Sequence, residues 1–104
     1  MNVIWHQQAL EGRGQIADYI REHFGAKSKA CFLQEVRRIT QLLKLNPNIG
    51  SIDPLFADRS IAYRSIIING LSKLIYFIDG DIIYIADFWD TRRDPTAQAE
   101  RVKE

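Results

Sequence analysis

Residues 73–95 read KLIYFIDGDIIYIADFWDTRRDP. Two apolar runs, KLIYFI and IIYIADFW, flank Asp79-Gly80, a pair that readily takes the left-handed backbone angles of a tight turn, so the stretch predicts two adjacent antiparallel strands. The second strand runs directly into Asp90, Thr91, Arg92, Arg93, Asp94 and Pro95, a charged exit stopped by proline. Both alternating sets are apolar: Leu74, Tyr76 and Ile78 against Ile75 and Phe77, then Ile82, Tyr84, Ala86 and Phe88 against Ile83 and Ile85. A sheet covered on one side alternates more cleanly. Both faces are therefore expected to be covered, the second by the tail, the long loop or another chain.

Upstream, IAYRSIIIN at 61–69 reads as a further strand, and Asn69-Gly70 supplies the turn that makes a three-stranded meander. NVIW at 2–5 reads as an opening strand, rich in residues that favour a pleated, buried surface. Between 8 and 24, Leu10, Ile16, Ala17, Ile20 and Phe24 recur at helical spacing. Gly12 and Gly14 each cost a helix about 1 kcal/mol relative to alanine, which places its stable body after them, and Gly25 is a natural stop. A second helix from 26–28 to 46 carries Phe32, Leu33, Val36, Ile39, Thr40 and Leu43 as one stripe, and Pro47 ends it. So short a joint folds the helices back as an antiparallel hairpin. Residues 48–60 form a connecting loop, too irregular for a strand and apolar enough to lie over the core. The tail after Pro95 reads as a short docked helix or a frayed end. The expected class is α+β: an N-terminal strand, an antiparallel two-helix hairpin and a three-stranded antiparallel meander, with the helices on one face of the sheet.

At 104 residues, one domain spanning 1–104 is expected. The formal charge of +1 excludes a surface that is basic throughout. Residues 1–50 hold seven Lys or Arg against four Asp or Glu, and residues 51–104 hold seven against nine, so any basic patch is local. No apolar run is long enough to cross a bilayer and the N-terminus lacks a signal-peptide pattern, which predicts a cytoplasmic protein with no membrane partner. Cys31, the single cysteine, reads as a small, partly buried hydrophobe on a helix. His6 and His23 stand apart, and no metal or cofactor is expected.

A set of cations and tyrosines falls on or beside the sheet: Arg59, Tyr63, Arg64, Lys73, Tyr76, Tyr84, Arg92 and Arg93. Gathered in one place, the cations would hold a phosphodiester and stabilise developing charge, while tyrosines stack on bases. The alternative is structural: Arg64 and Lys73 pair with Asp79, Asp81 or Asp87, and the tyrosines are core. Of the adjacent Arg92 and Arg93, one is expected to brace the fold against Asp90 or Asp94 while the other faces out. On the second helix, Lys27, Lys29, Arg37, Arg38 and Lys44 form either a solvated face or a ridge for an acidic partner.

Together these pieces resemble the RelE/ParE superfamily of toxins from bacterial type II toxin–antitoxin modules. The resemblance covers nearly the whole chain and rests on VIWHQQA, LLKLNPNIG, YRSIIIN, KLIYFIDGDIIYIADFWD and TRRDP in that order. It implies a compact toxin neutralised by a cognate antitoxin that wraps an extended, helix-containing segment around it. It also implies a homodimer or higher toxin–antitoxin assemblies, and operator DNA reached only through the complex. Two activities divide the superfamily: ribosome-dependent cleavage of mRNA in RelE-like members and inhibition of DNA gyrase in ParE-like members. Arg64 and Lys73 resemble the superfamily's basic sheet residues and Arg92 or Arg93 its late arginine, so Arg64, Lys73 and Arg93 would be catalytic in a nuclease. After Arg93 there is no tyrosine or histidine to transfer a proton. The RRDP ending looks ParE-like, which makes gyrase the first expectation, with the helical hairpin and tail as interface. An mRNA nuclease is the second, and an inactive remnant acting only as a partner of antitoxin and operator the third. Candidate partner-binding residues are Arg37, Arg38, Tyr63, Tyr76, Trp89 and Arg92.

Overall fold

The computed structural model describes residues 1–93 and 95–102. Its elements follow the expected order with one strand, β2, added: β1 (Asn2–Trp5), α1 (Gln7–Phe24), α2 (Ala26–Leu45), β2 (Ser51–Ile52), β3 (Arg64–Ile68), β4 (Ser72–Asp79), β5 (Ile82–Asp90) and α3 (Pro95–Arg101). The sheet runs β1-β5-β4-β3-β2, with β1 parallel to β5 and every other pair antiparallel. The class is α+β, with the helical hairpin on one face, as expected. No described helix is long and apolar enough to cross a membrane.

The turns set the meander. Asn69 and Gly70 both have positive φ, at 54° and 69°, and Leu71 N–H donates to the Ile68 carbonyl at 3.2 Å, the type I′ geometry that suits twisted strands. In the second hairpin Asp79 pairs with Ile82, so the central residues are Gly80 and Asp81, one position later than expected, with glycine taking φ 63°.

Three boundaries differ from the sequence reading. Helix α1 begins at Gln7 and includes both glycines. Gly12 is required there by packing, because a Cβ on it would lie 2.2 Å from the Phe88 carbonyl oxygen. Strand β3 begins at Arg64, not Ile61; Ile61 and Tyr63 instead pack under the second face of the sheet. The loop 48–60 does contain a strand, the two residues of β2, followed by a 3₁₀ turn at Pro54–Phe56. Asp53 starts that turn by accepting the Leu55 N–H at 3.0 Å.

Two cores sandwich the sheet. On the hairpin side Ala9, Ala17, Ile20, Phe32, Val36, Ile39 and Leu43 meet Ile68, Leu74, Tyr76, Ile83, Ile85 and Phe88. On the other side Phe56, Tyr63, Ile75, Ala86 and Val102 form a smaller cluster, joined by Leu55, Ile61, Phe77 and Ala99. Loop and tail therefore cover the second face together. Each fully buried Val, Leu, Ile or Phe side chain among them contributes roughly 1.5–3 kcal/mol. The tail is docked: Arg59 donates to the carbonyls of Ala99 and Val102, two groups that the helix end leaves without internal partners.

The alternation expected along the fifth strand is broken. Ile75 pairs with Asp87 but Tyr76 pairs with Ile85, which leaves Ala86 as the extra residue of a β-bulge. Phe88 thereby shifts to the hairpin side with Ile83 and Ile85, away from Ala86. Two side chains are also more exposed than expected. Phe24 closes α1 at the hairpin tip with 64% of its surface exposed, and Cys31, one residue before buried Phe32, is exposed rather than partly buried.

Candidate functional site

The residues with phosphate-binding chemistry do not converge. Arg64 opens β3 and pairs in register with Tyr76, so its side chain leaves the hairpin side of the sheet, where Nη1 donates to the Gly50 carbonyl at 2.7 Å. Lys73 is three positions from Tyr76 on β4 and projects from the opposite face. There its Nζ lies 2.5 Å from Oδ2 of Asp53, a carboxylate only 4% exposed, and 5.8 Å from the centre of the Phe56 ring. This partner is neither Asp79, Asp81 nor Asp87.

Arg93 lies on the Lys73 face. Trp89 pairs in register with Lys73, and the Arg93 guanidinium sits 4.2 Å over the Trp89 ring, with Arg101 5.0 Å from the same ring. The expected nuclease set is thus split: Lys73 and Arg93 on one side, Arg64 on the other. Arg101 was not singled out by the sequence; it binds Asp87, wholly buried on β5, at 2.9 Å, with buried Gln98 at 3.3 Å from the same carboxylate.

Arg92 is the bracing arginine. Its Nε and Nη2 donate to the two oxygens of Asp90 at 3.0 and 2.7 Å, Nη1 donates to the Tyr19 hydroxyl at 2.9 Å, and its cation lies 4.5 Å over the Tyr19 ring. The fork holds the Asp90 carboxyl below its ordinary range, chiefly through the Arg92 hydrogen bond, and raises Arg92 further above its own. Asp94, the other partner considered, lies outside the described residues.

The aromatic candidates are inside the fold. Tyr63, Tyr76 and Trp89 are 2%, 0% and 3% exposed, so they offer no surface to a partner in this conformation. The Tyr76 hydroxyl donates to the Pro47 carbonyl at 2.7 Å and accepts the Gly50 N–H at 2.9 Å, tying the end of α2 to the sheet. Burial pushes its pKa up, while the Gly50 bond and nearby Arg64 pull it down. Tyr84, also among the sheet candidates, stacks on Phe77 with ring centres 5.2 Å apart.

The two candidates on α2 remain exposed but differ. Arg38 grips Glu35 with two donors, at 3.0 and 2.6 Å, and lowers the Glu35 pKa. Arg37 lines a cleft between α1, α2 and β1 together with Arg13, which the sequence reading had not singled out as a site residue.

A strand, a helical hairpin and an antiparallel meander closed by a C-terminal helix define the small α+β toxin fold of the RelE/ParE superfamily. Residues 3–95 match the ParE toxin of the type II toxin–antitoxin system parDE, and the chain belongs to that family. Its structure is similar to a chain of the chromosomal ParDE toxin–antitoxin system from P. aeruginosa, with a TM-score of 0.70 and 16% sequence identity, covering 86% of this chain and 95% of that one. No curated protein sequence matches the chain.

Proposed function

We propose that this type II toxin arrests growth by binding DNA gyrase, and that it does not cut mRNA. The observation that supports this reading is the division of the cations. A phosphoryl-transfer site needs its donors aimed at one developing charge. Here Lys73 is spent on buried Asp53, and Arg64 serves the Gly50 carbonyl on the other face of the sheet. Membership of the ParE family implies a cognate antitoxin as the neutralising partner. The exposed surface of the helical hairpin, which includes Phe24, Leu42 and Leu45, is the target interface in this reading.

The test is to induce the chain without antitoxin and to follow plasmid supercoiling and protein synthesis separately, alongside a supercoiling assay with purified gyrase. Loss of negative supercoiling before translation falls is the expected result. Translation arrest with codon-specific cuts in mRNA would overturn the reading in favour of a nuclease. Absence of any growth effect would identify a remnant that serves only antitoxin and operator.

A further inference from the structure

We infer that the cleft between α1, α2 and β1 is a carboxylate-binding site, in which Arg13 and Arg37 clasp an acidic side chain of the antitoxin. The identity of the partner rests on the toxin reading; the anion chemistry of the cleft rests on its residues alone. The cleft has a volume of about 270 Å³ and is lined by Trp5, Arg13, Leu33, Val36, Arg37 and Gln41 among others, with no acidic residue in its wall.

The charge in the cleft is uncompensated: among the described residues Arg21, Lys27 and Lys44 also lack a carboxylate partner, but Arg13 and Arg37 line one cleft together. Lys29, Arg38, Arg59, Lys73, Arg92 and Arg101 each have a carboxylate of their own. Among the described residues neither Arg13 nor Arg37 has one. The contrast with Arg38 is local, since it takes Glu35 while Arg37, its neighbour in sequence, is left facing the cleft. A second cleft, lined by Arg92, Arg93 and Arg101, carries its own anion in Asp90. Two like charges in one concavity repel until an anion enters between them.

The donors suit a carboxylate. A guanidinium presents a planar fork that matches a two-oxygen acid, and Arg13 is held by the Trp5 ring, with its charge 4.8 Å from the ring centre. A positioned fork loses less freedom on binding than a free one. The rest of the wall chooses between a peptide and a nucleic acid. Trp5, Leu33 and Val36 give the cleft an apolar part next to its cations, which fits an acidic residue flanked by an aliphatic one. A phosphate backbone is better matched by a line of cations than by one small cleft on a chain of net charge +1.

The test measures binding of purified cognate antitoxin to the wild-type chain and to Arg13→Gln, Arg37→Gln and Arg21→Gln, at low and high salt, with thermal melting as the folding control. Arg21 is an exposed cation of α1 that does not line the cleft. The expected result is at least a tenfold loss for the two cleft variants with a weaker salt dependence, and less than a twofold change for Arg21→Gln. Should Arg13→Gln melt early because it loses Trp5, exposed Arg37 decides. Equal losses at all three positions, or none at any, would overturn the inference. So would binding of a 20-base-pair DNA duplex that depends on Arg13 and Arg37 while antitoxin affinity does not. If the cleft variants lose antitoxin but the wild-type chain leaves gyrase untouched, the inference stands and the gyrase reading alone falls.

Discussion

Gly12 lies against the Phe88 carbonyl so closely that a Cβ would stand 2.2 Å from its oxygen, whereas a Cβ on Gly14, in the same helix, meets nothing within 4 Å. Helix propensity favours alanine over glycine by about 1 kcal/mol at both positions. Contact with strand backbone, which has no rotamer by which to retreat, reverses the sign at only one. Gly14→Ala should stabilise the fold by about 0.5–1 kcal/mol. Gly12→Ala should destabilise it by about 1–3 kcal/mol or more. Urea denaturation of the two variants checks both; destabilisation by Gly14→Ala would contradict the packing described for α1.

Lys73→Ala should unfold or strongly destabilise the chain, because it strands the Asp53 carboxylate in a buried site. Breaking such a pair costs about 3–5 kcal/mol. Asp53→Ala combined with Lys73→Met should recover much of the loss, since no charge is then left unpaired. A double-mutant cycle in denaturant measures the coupling. Loss of toxicity in Lys73→Ala would then report folding, and it is no test of catalysis without a melting curve beside it.

Tyr76→Phe removes one hydroxyl that serves both the Pro47 carbonyl and the Gly50 N–H. A buried donor left without an acceptor costs about 1–3 kcal/mol, read as a lower denaturant midpoint at unchanged slope. The folded state raises the Tyr76 pKa above its usual 10.0, so the proton is held more tightly in the folded chain. That contribution is fully present below the unfolded pKa and is lost as pH rises through the folded one. Stability of the wild-type chain should therefore fall above about pH 10, and this part of the alkaline loss should vanish in Tyr76→Phe.

Asp90 gives the opposite slope. Its pKa is held below the ordinary 3.8 by Arg92, so its contribution is present above that value and disappears as pH falls through the depressed one. Asp90→Asn should be less stable than wild type at neutral pH, and the two should converge as pH falls below the ordinary 3.8. Denaturant midpoints across that range check the convergence; a constant gap would assign the loss to packing rather than charge.

What could be read from the residues was what neighbours in sequence decide. Asn69-Gly70 announces its turn, the stripe from Phe32 to Leu43 announces α2, and Arg92 finds Asp90 two positions away. The doubly apolar strands correctly required cover on both faces. The bulge at Ala86 left no such trace, because Ile83, Ile85, Phe88 and Trp89 are apolar on either side of the slip. Only Asp87, buried beneath α3, marks it, and its partner Arg101 is fourteen positions away. The candidate site suffered most from distance. Lys73 and Asp53 are brought together by a loop whose path no local pattern states. Alternation does put Arg64 and Lys73 on opposite faces, but only once the register of β3 on β4 is known.

The parallel pairing of β1 with β5 sets Asn2 beside Ile82, eighty positions away. Closing so long a loop is entropically expensive and slow compared with forming the helical hairpin or the meander, each of which is local. The sheet is therefore complete only after its last long strand has been synthesised, and Arg59 has no tail to hold until Val102 follows. A chain stopped within the first four strands lacks β5, which supports α1 from one side and α3 from the other, so it cannot form the two cores described here.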